Sequence, residues 1–383
     1  MKILYHHRIA SKDGQYVHVE EIIKALRKQG HDVIVVSPQL VEQSDFGSDG
    51  GWVSKLRQNV PQIISESLEF SYSIWVFCKL CYAIMKHRPD CIYERYNLFL
   101  PSGIWAKKIF QLKLLLEVNS PLYDERKKYG GIALNRIAKW SEYYAWRNAD
   151  HVLPVTRVLA SYIIKAGVPD SRITVLPNGI DPSLFYPSDE PNRDKEFHDK
   201  LVIGFVGFCR EWHRLDQVLK LIASEENPNL MLLIVGDGPV IEQLQELARS
   251  LQLQERFHIT GLVDRQNMPH WLNQIDIAIQ PAVTPWASPL KLIEYLAKGK
   301  AIVAPNNPNI RELLSDDVNA LLFEPENAES MIQKIREIIE DKSLRMRLQT
   351  QAHNTIKEQN LTWNHNAMRI ERIFQENITQ SGK

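Results

Sequence analysis

Short apolar runs alternate with amphipathic stretches along the whole of this chain. A run of four to eight apolar residues between turn residues reads as a buried strand. Apolar positions three and four apart read as one helix face. In the first half the strand candidates are KILYHH, HDVIVVSP, CIYERY, KLLLEVN, HVLPVT and ITVLPNG. Between the first two lies VHVEEIIKALRKQG, a predicted helix with apolar Val19, Ile22, Ile23 and Leu26 and a stop at Gly30. RIAKWSEYYAWRNAD predicts another, basic on one side and aromatic on the other.

The texture changes after Asn178-Gly179-Ile180-Asp181. Residues 186–200, YPSDEPNRDKEFHDK, carry many charges and few large apolar groups, and read as a linker. A second alternating series follows: LVIGFVGF, LMLLIVG, RFHITG, IDIAIQP, KAIVAP and ALLFEP. The expected fold is therefore α/β, with two Rossmann-like doubly wound domains at residues 1–185 and 201–362. Such domains bind ligands at the carboxyl ends of their strands, and a facing pair would hold one in the cleft between them.

Neither domain carries a dinucleotide fingerprint. The first strand is followed by RIASKDGQYVHVEE, with the single glycine Gly14 where that fingerprint needs three. No P-loop occurs either. Gly236-Asp237-Gly238-Pro239, after LMLLIVG, is a short glycine turn of a kind common in α/β domains.

The stretch SPLKLIEYLAKGK (288–300) predicts a short helix with Ser288 as N-cap, Pro289 at its first position and Gly299 at its stop. Lys291 then falls in the first turn, where the helix dipole is already positive. An empty, exposed site of that kind costs about 0.3–1 kcal/mol, and a bound di-anion reverses the sign. Arg210 follows the first strand of the second series, at the same sheet edge, so the two cations can converge on one anion. Glu294, three residues on, shares a helix face with Lys291 and suits a ribose. The alternative is a solvated lysine with Glu294 as its ordinary partner.

Composition narrows the classes. Lys+Arg and Asp+Glu both number 46, so no global field argues for nucleic acid. The four cysteines are Cys78, Cys81, Cys91 and Cys209. Cys78 and Cys81 lie in the apolar run SIWVFCKLCYAIM without a second pair, and read as buried rather than metal-binding. Few cysteines suit a reducing, cytoplasmic setting. That run is short for a bilayer span and is broken by Lys79. MKILYHH reads as a strand, without a secretory h-region. SKLRQNVPQIISESLEFSYSIWVF and ERKKYGGIALNRIAKWSEYYAWRN mix basic and aromatic residues as interfacial helices do. They suggest peripheral contact with the inner face of a membrane, the alternative being ordinary helices that cover a sheet.

The order and spacing of several stretches resemble the retaining GT-B glycosyltransferases of family 4, the glycosyl transferases group 1. They are DGQYVHVEEIIKALRKQGHDVIVV, ITVLPNGIDPSLFYP, FVGFCREWHRLDQVL, LLIVGDGP, HITGLVDRQNMPHWLNQIDIAIQP, SPLKLIEYLAKGKAIVAP and IRELLSDDVNALLFEPEN. The resemblance implies a nucleoside diphosphate sugar as donor and an acceptor hydroxyl in the first domain. It places Arg210 and Lys291 on the diphosphate, Glu294 on the ribose, and Ser288, Pro289 and Leu290 against phosphate or sugar. Gly207 and Gly236 join the donor set, and the Gly14 loop approaches the diphosphate. It also implies that residues 363–383 form a helix returning to the first domain. No Asp-x-Asp motif stands at a suitable strand end, so no essential divalent ion is expected, and no cofactor.

Two positions depart from the family pattern. A glutamate eight residues before Glu294 is replaced by Trp286, which could stack on a sugar face. A first-domain histidine is replaced by LLLEVNSP, which offers Glu117 and Asn119. Glu117 either orients the acceptor and stabilises charge at the anomeric carbon or is a satisfied strand-end carboxylate. Asp13 is an acceptor-side candidate that also suits a turn. His18 reads as a packing or capping histidine, Trp212 and His213 as shapers of the phosphate loop, and Glu312 as a family position or a cap. A GT-B nucleotide-sugar epimerase and a non-catalytic sugar-nucleotide or glycan-binding protein are the other readings.

Overall fold

The computed structural model describes residues 1–10, 14–38, 60–186 and 193–379. By contacts the chain forms two compact units. The first holds Met1–Asn178, the short stretch Trp286–Ser288 and the C-terminal segment from Trp363; the second holds Gly179–Pro285 and Pro289–Thr362.

In the first unit, β1 (Lys2–His6), β2 (Asp32–Val36), β3 (Cys91–Arg95), β4 (Lys113–Val118) and β5 (His151–Pro154) form a parallel sheet of order β2-β1-β3-β4-β5. Every residue of β3 is buried, as expected of a strand covered on both faces. Helices α1 (Gly14–Lys28), α2 (Gln62–His87), α3 (Ser102–Phe110), α4 (Leu122–Tyr129), α5 (Asn135–Asn148) and α6 (Arg157–Lys165) accompany it. Helix α1 buries the expected Val19, Ile22, Ile23 and Leu26. It ends before Gly30, whose φ of 84° is left-handed.

One expected strand is absent. ITVLPNG runs beside β5, with the Thr174 and Leu176 N–H groups donating to the carbonyls of Val152 and Pro154. The next return bond of that ladder would come from residue 154, a proline with no N–H, so pairing stops at the single Val152–Ile173 bridge.

In the second unit, β6 (Leu201–Val206), β7 (Leu230–Val235), β8 (Phe257–Ile259), β9 (Ile277–Ile279), β10 (Ala301–Pro305) and β11 (Leu321–Phe323) form a parallel sheet of order β11-β10-β9-β6-β7-β8. Its helices are α7 (Pro182–Phe185), α8 (Leu215–Ser224), α9 (Ile241–Ser250), α10 (Met268–Gln274), α11 (Leu290–Ala297), α12 (Ala328–Glu340) and α13 (Lys342–Glu358). Alternation along β6 sends Val202 and Val206 into one core layer and Ile203 and Phe205 into the other. The strand order reverses between β6 and β9, so the loops that leave these two strands flank a topological switch point.

The last helix, α14 (Trp363–Thr379), packs against α1 and so belongs to the first unit, as the resemblance implied.

Candidate functional site

The loops after β6 and β7 lock together backbone to backbone. The Gly207 N–H donates to the Val235 carbonyl, and the Cys209 N–H to the Asp237 carbonyl at 2.7 Å. A Cβ on Gly236 would lie 2.1 Å from the Gly207 oxygen, and one on Gly238 2.1 Å from that of Cys209. Glycine is required at both positions for this close approach. The result is a floor of bare backbone at the carboxyl end of the sheet.

Lys291 lies under that floor. A Cβ on Gly207 would come within 2.8 Å of its Nζ, which sits 4.5 Å from the Phe205 ring centroid. Burial pulls its ammonium down to about 8, against a smaller upward pull from Cys209 and Glu294. The alternative in which Glu294 is the ordinary partner of Lys291 fails, because the two form no ion pair, although Lys291 itself is only half-buried. Glu294 is buried and turns to Arg265, whose guanidinium stacks 4.3 Å from the Phe185 ring.

Arg210 is held between two rings, 4.6 Å from Phe208 and 5.5 Å from Trp212. Its backbone N–H donates to Nδ1 of His213 at 3.0 Å, so the proton of that imidazole sits on Nε2. Burial, then the charges of Lys291 and Arg210, push His213 down to about 3. A neutral histidine that feels both cations makes Arg210, His213 and Lys291 parts of one electropositive cluster.

Helix α11 begins one residue later than expected. Pro289, not Ser288, occupies its N-cap, and the first turn leaves N–H groups of Leu290 and Lys291 without intrahelical acceptors. Ser288 is used elsewhere: its hydroxyl accepts the Asn178 N–H and its carbonyl accepts Asn178 Nδ2 at 2.7 Å. A side chain already tied to another loop cannot cap the helix.

Trp286 requires a larger correction. It packs with the first unit's core at 5% exposure, edge-on to Tyr162, while its carbonyl accepts the Thr156 hydroxyl. The indole has no open face for a sugar to stack on.

Glu117 is corrected as well. Its Oε1 accepts from Arg95 at 2.7 Å and Asn119 at 2.6 Å. Its Oε2 accepts from Tyr93 at 2.6 Å and lies 2.8 Å from Nε2 of His18. Burial alone would raise its pKa, but the charges of His18 and Arg95 and the surrounding bonds hold it well below the usual carboxylate range. Both oxygens are taken, so Glu117 braces the strand ends rather than meeting an acceptor. His18 spans Glu117 and Asn178 beside Trp363, which makes it a packing residue.

Gly14 opens α1 with space around it, and no backbone constraint there asks for glycine. Asp13 lies outside the described residues, as do residues 187–192 of the expected linker. Cys78 is exposed, contrary to the expectation of a buried cysteine. Glu312 falls in a single turn, Ile310–Glu312.

Sequence reasoning passed over Arg265, which sits inside HITGLVDRQNM without a periodic or spacing signal. It also passed over a pocket at the carboxyl ends of β1 and β2, lined by His6, His7, Arg8, Val36, Tyr72 and Lys79 among others. There Nδ1 of His7 accepts the Ile9 N–H, and burial first, then the charge of His6, pushes the imidazole down to about 4.

Residues 12–184 match the family described as Glycosyltransferase Family 4, and residues 188–355 that described as Glycosyl transferases group 1. The chain is 24% identical over 377 residues to an uncharacterized glycosyltransferase, MJ1069, of Methanocaldococcus jannaschii, covering 94% of each chain. It is 23% identical to the alpha-monoglucosyldiacylglycerol synthase of Streptococcus pneumoniae, covering 81% of this chain and 72% of that one. Among solved structures, Anabaena Alr3699/HepE in complex with UDP matches with a TM-score of 0.74 at 18% identity, over 98% of this chain and 100% of that one. Sucrose-phosphate synthase from Thermosynechococcus elongatus matches with a TM-score of 0.75 at 16% identity, over 99% of each. The fold is GT-B, and the chain belongs to glycosyltransferase family 4, the glycosyl transferases group 1. It is a retaining glycosyltransferase.

Proposed function

We propose that this enzyme transfers a hexosyl group from a UDP sugar to an acceptor hydroxyl, with Lys291 and Arg210 clamping the diphosphate. The observation that carries the reading is the half-buried Lys291, its ammonium against the Gly207 turn and in no ion pair among the described residues, while Glu294 is engaged by Arg265. A cation kept from water at a helix N-terminus is poorly placed without an anion and well placed with one. Solved structures of Anabaena Alr3699/HepE with UDP and with UDP-glucose support uridine as the base.

In this reading the glycosidic bond to the diphosphate breaks first, and its electron pair stays on the leaving phosphate oxygen. Lys291, Arg210 and the first N–H groups of α11 stabilise the charge that develops there, so no divalent ion is needed. The acceptor oxygen bonds to the anomeric carbon on the face the diphosphate leaves, and its proton passes to a phosphate oxygen. Glu294 takes the ribose hydroxyls through Oε2, Arg265 holding Oε1. The neutral His7 pocket in the first unit, at strand carboxyl ends, supports an acceptor subsite there.

Lys291→Ala and Arg210→Ala are the test, assayed by UDP binding and by transfer from UDP-glucose and other UDP sugars. Loss of one such group costs about 10²–10³ in turnover. Near wild-type turnover and affinity in both variants would refute the clamp. Turnover of a donor to its epimer with no acceptor present would refute transfer.

A further inference from the structure

Helix α2 is built inside out. Its two carboxylates point into the protein: Glu66 accepts the N–H groups of Ala133 and Leu134, and Glu69 pairs with Arg8 and Arg126. Its outer face carries Ile64, Leu68, Trp75, Tyr82 and Met85, each about half exposed or more, with the exposed Ser71 and Cys78 completing the row. Steps of four and three residues place these positions in one stripe, along a helix about 39 Å long at 1.5 Å per residue.

The exposed charges of the helix itself are of one sign. The Lys79 ammonium lies over the Trp75 ring at 4.5 Å and that of Lys86 over Tyr82 at 5.7 Å, each a cation on an aromatic face. Neighbouring α5 repeats the design. Its Trp140 meets Phe70 of α2 and is 48% exposed, Arg136 and Lys139 are exposed, and its one carboxylate, Glu142, is buried. Three carboxylates on two adjacent helices are thus all turned inward, while the cations and large apolar groups remain outside.

We infer that the outer face of α2, with the exposed edge of α5, docks on an anionic lipid bilayer. Apolar and aromatic side chains on these two helices, with lysine and arginine as their exposed charges, match an interface with anionic headgroups. A second copy of the chain fits worse, because a two-fold contact along α2 would set Lys79 and Lys86 against cations with no carboxylate on that helix face to pair them. By length and composition α2 could cross a membrane, but Val76, Leu80 and Ile84 seal its other face into the first unit's core, so it lies along the bilayer instead. Residues 54–59 of the basic-aromatic stretch read from the sequence lie outside the described residues.

The test is flotation of the full chain with phosphatidylglycerol-containing and pure phosphatidylcholine vesicles at low salt. The expected result is flotation with the anionic vesicles, reduced about 30-fold in partition by Lys79→Gln with Lys86→Gln. Leu68→Gln with Tyr82→Gln should abolish it, with thermal unfolding and UDP binding as folding controls. Wild-type protein that stays at the bottom overturns the inference, as does flotation that neither pair of substitutions alters. A dimer in sedimentation that Leu68→Gln with Tyr82→Gln dissolves, without flotation, identifies a second copy as the occupant and also overturns it. None of these readouts depends on sugar transfer.

Discussion

Burial pulls the Lys291 ammonium down to about 8, so a diphosphate bound against it, as proposed, would make donor binding a proton-linked event. A bound diphosphate replaces lost hydration and raises that pKa, so UDP is held best by the protonated form. For a cation whose pKa rises on binding, the contribution is complete below the free value and fades as pH climbs through it. From pH 7 to pH 9 the protonated fraction falls from about 0.9 to about 0.1, so UDP affinity should fall about tenfold, or about 1.4 kcal/mol. The neighbours do not titrate in that window: burial, then the nearby cations, hold His213 near 3, and burial holds Cys209 near 12. Lys300 is also lowered by burial to about 8, but it precedes β10, at the far end of the strands from the site. Lys291→Arg separates the two lysines, since a guanidinium stays charged throughout and should flatten the profile. Titration calorimetry of UDP in buffers of different ionisation enthalpy provides the direct assay. At pH 8.5 binding should take up about three quarters of a proton in the wild type and close to none in Lys291→Arg. A flat wild-type affinity with no proton uptake would refute the placement of Lys291 against the diphosphate.

Two further substitutions test the corrected residues. Glu117→Gln should cost about 3–5 kcal/mol in urea unfolding at pH 7, because it leaves the buried Arg95 without its counter-charge. The deficit should shrink as pH falls below about 4, since a carboxylate lowered in the folded state stabilises only where it is ionised; equal stability at pH 7 would contradict the network. Trp286→Ala should cost about 3–5 kcal/mol through a cavity in the first unit's core. A loss of donor-sugar discrimination with unchanged stability would restore the stacking role.

Much of the candidate donor site was legible because its signals are local. The strand and helix periods of the second half each correspond to an observed element. Arg210, Gly207, Gly236 and Lys291 each stand within a few residues of a strand end or helix start, and parallel strands deliver all such ends to one edge. The corrections share a different cause. Ser288 is a good N-cap by type, yet Asn178, 110 positions away, claims it. Glu117 looked available because Arg95, Tyr93 and His18 belong to other elements.

By itself the sequence determined the alternation of strands and helices, the glycine turns and the positions of two cations, all matters of neighbouring residues. Which carboxylates are spoken for was decided by the tertiary structure, since pairing depends on what lies across a layer rather than along the chain. Helix α2 shows the limit most clearly. Apolar residues occupy both of its faces, so periodicity could not say which face turns inward. Buried partners for Glu66 and Glu69 decided it, and that choice left the aromatic, cationic face outside.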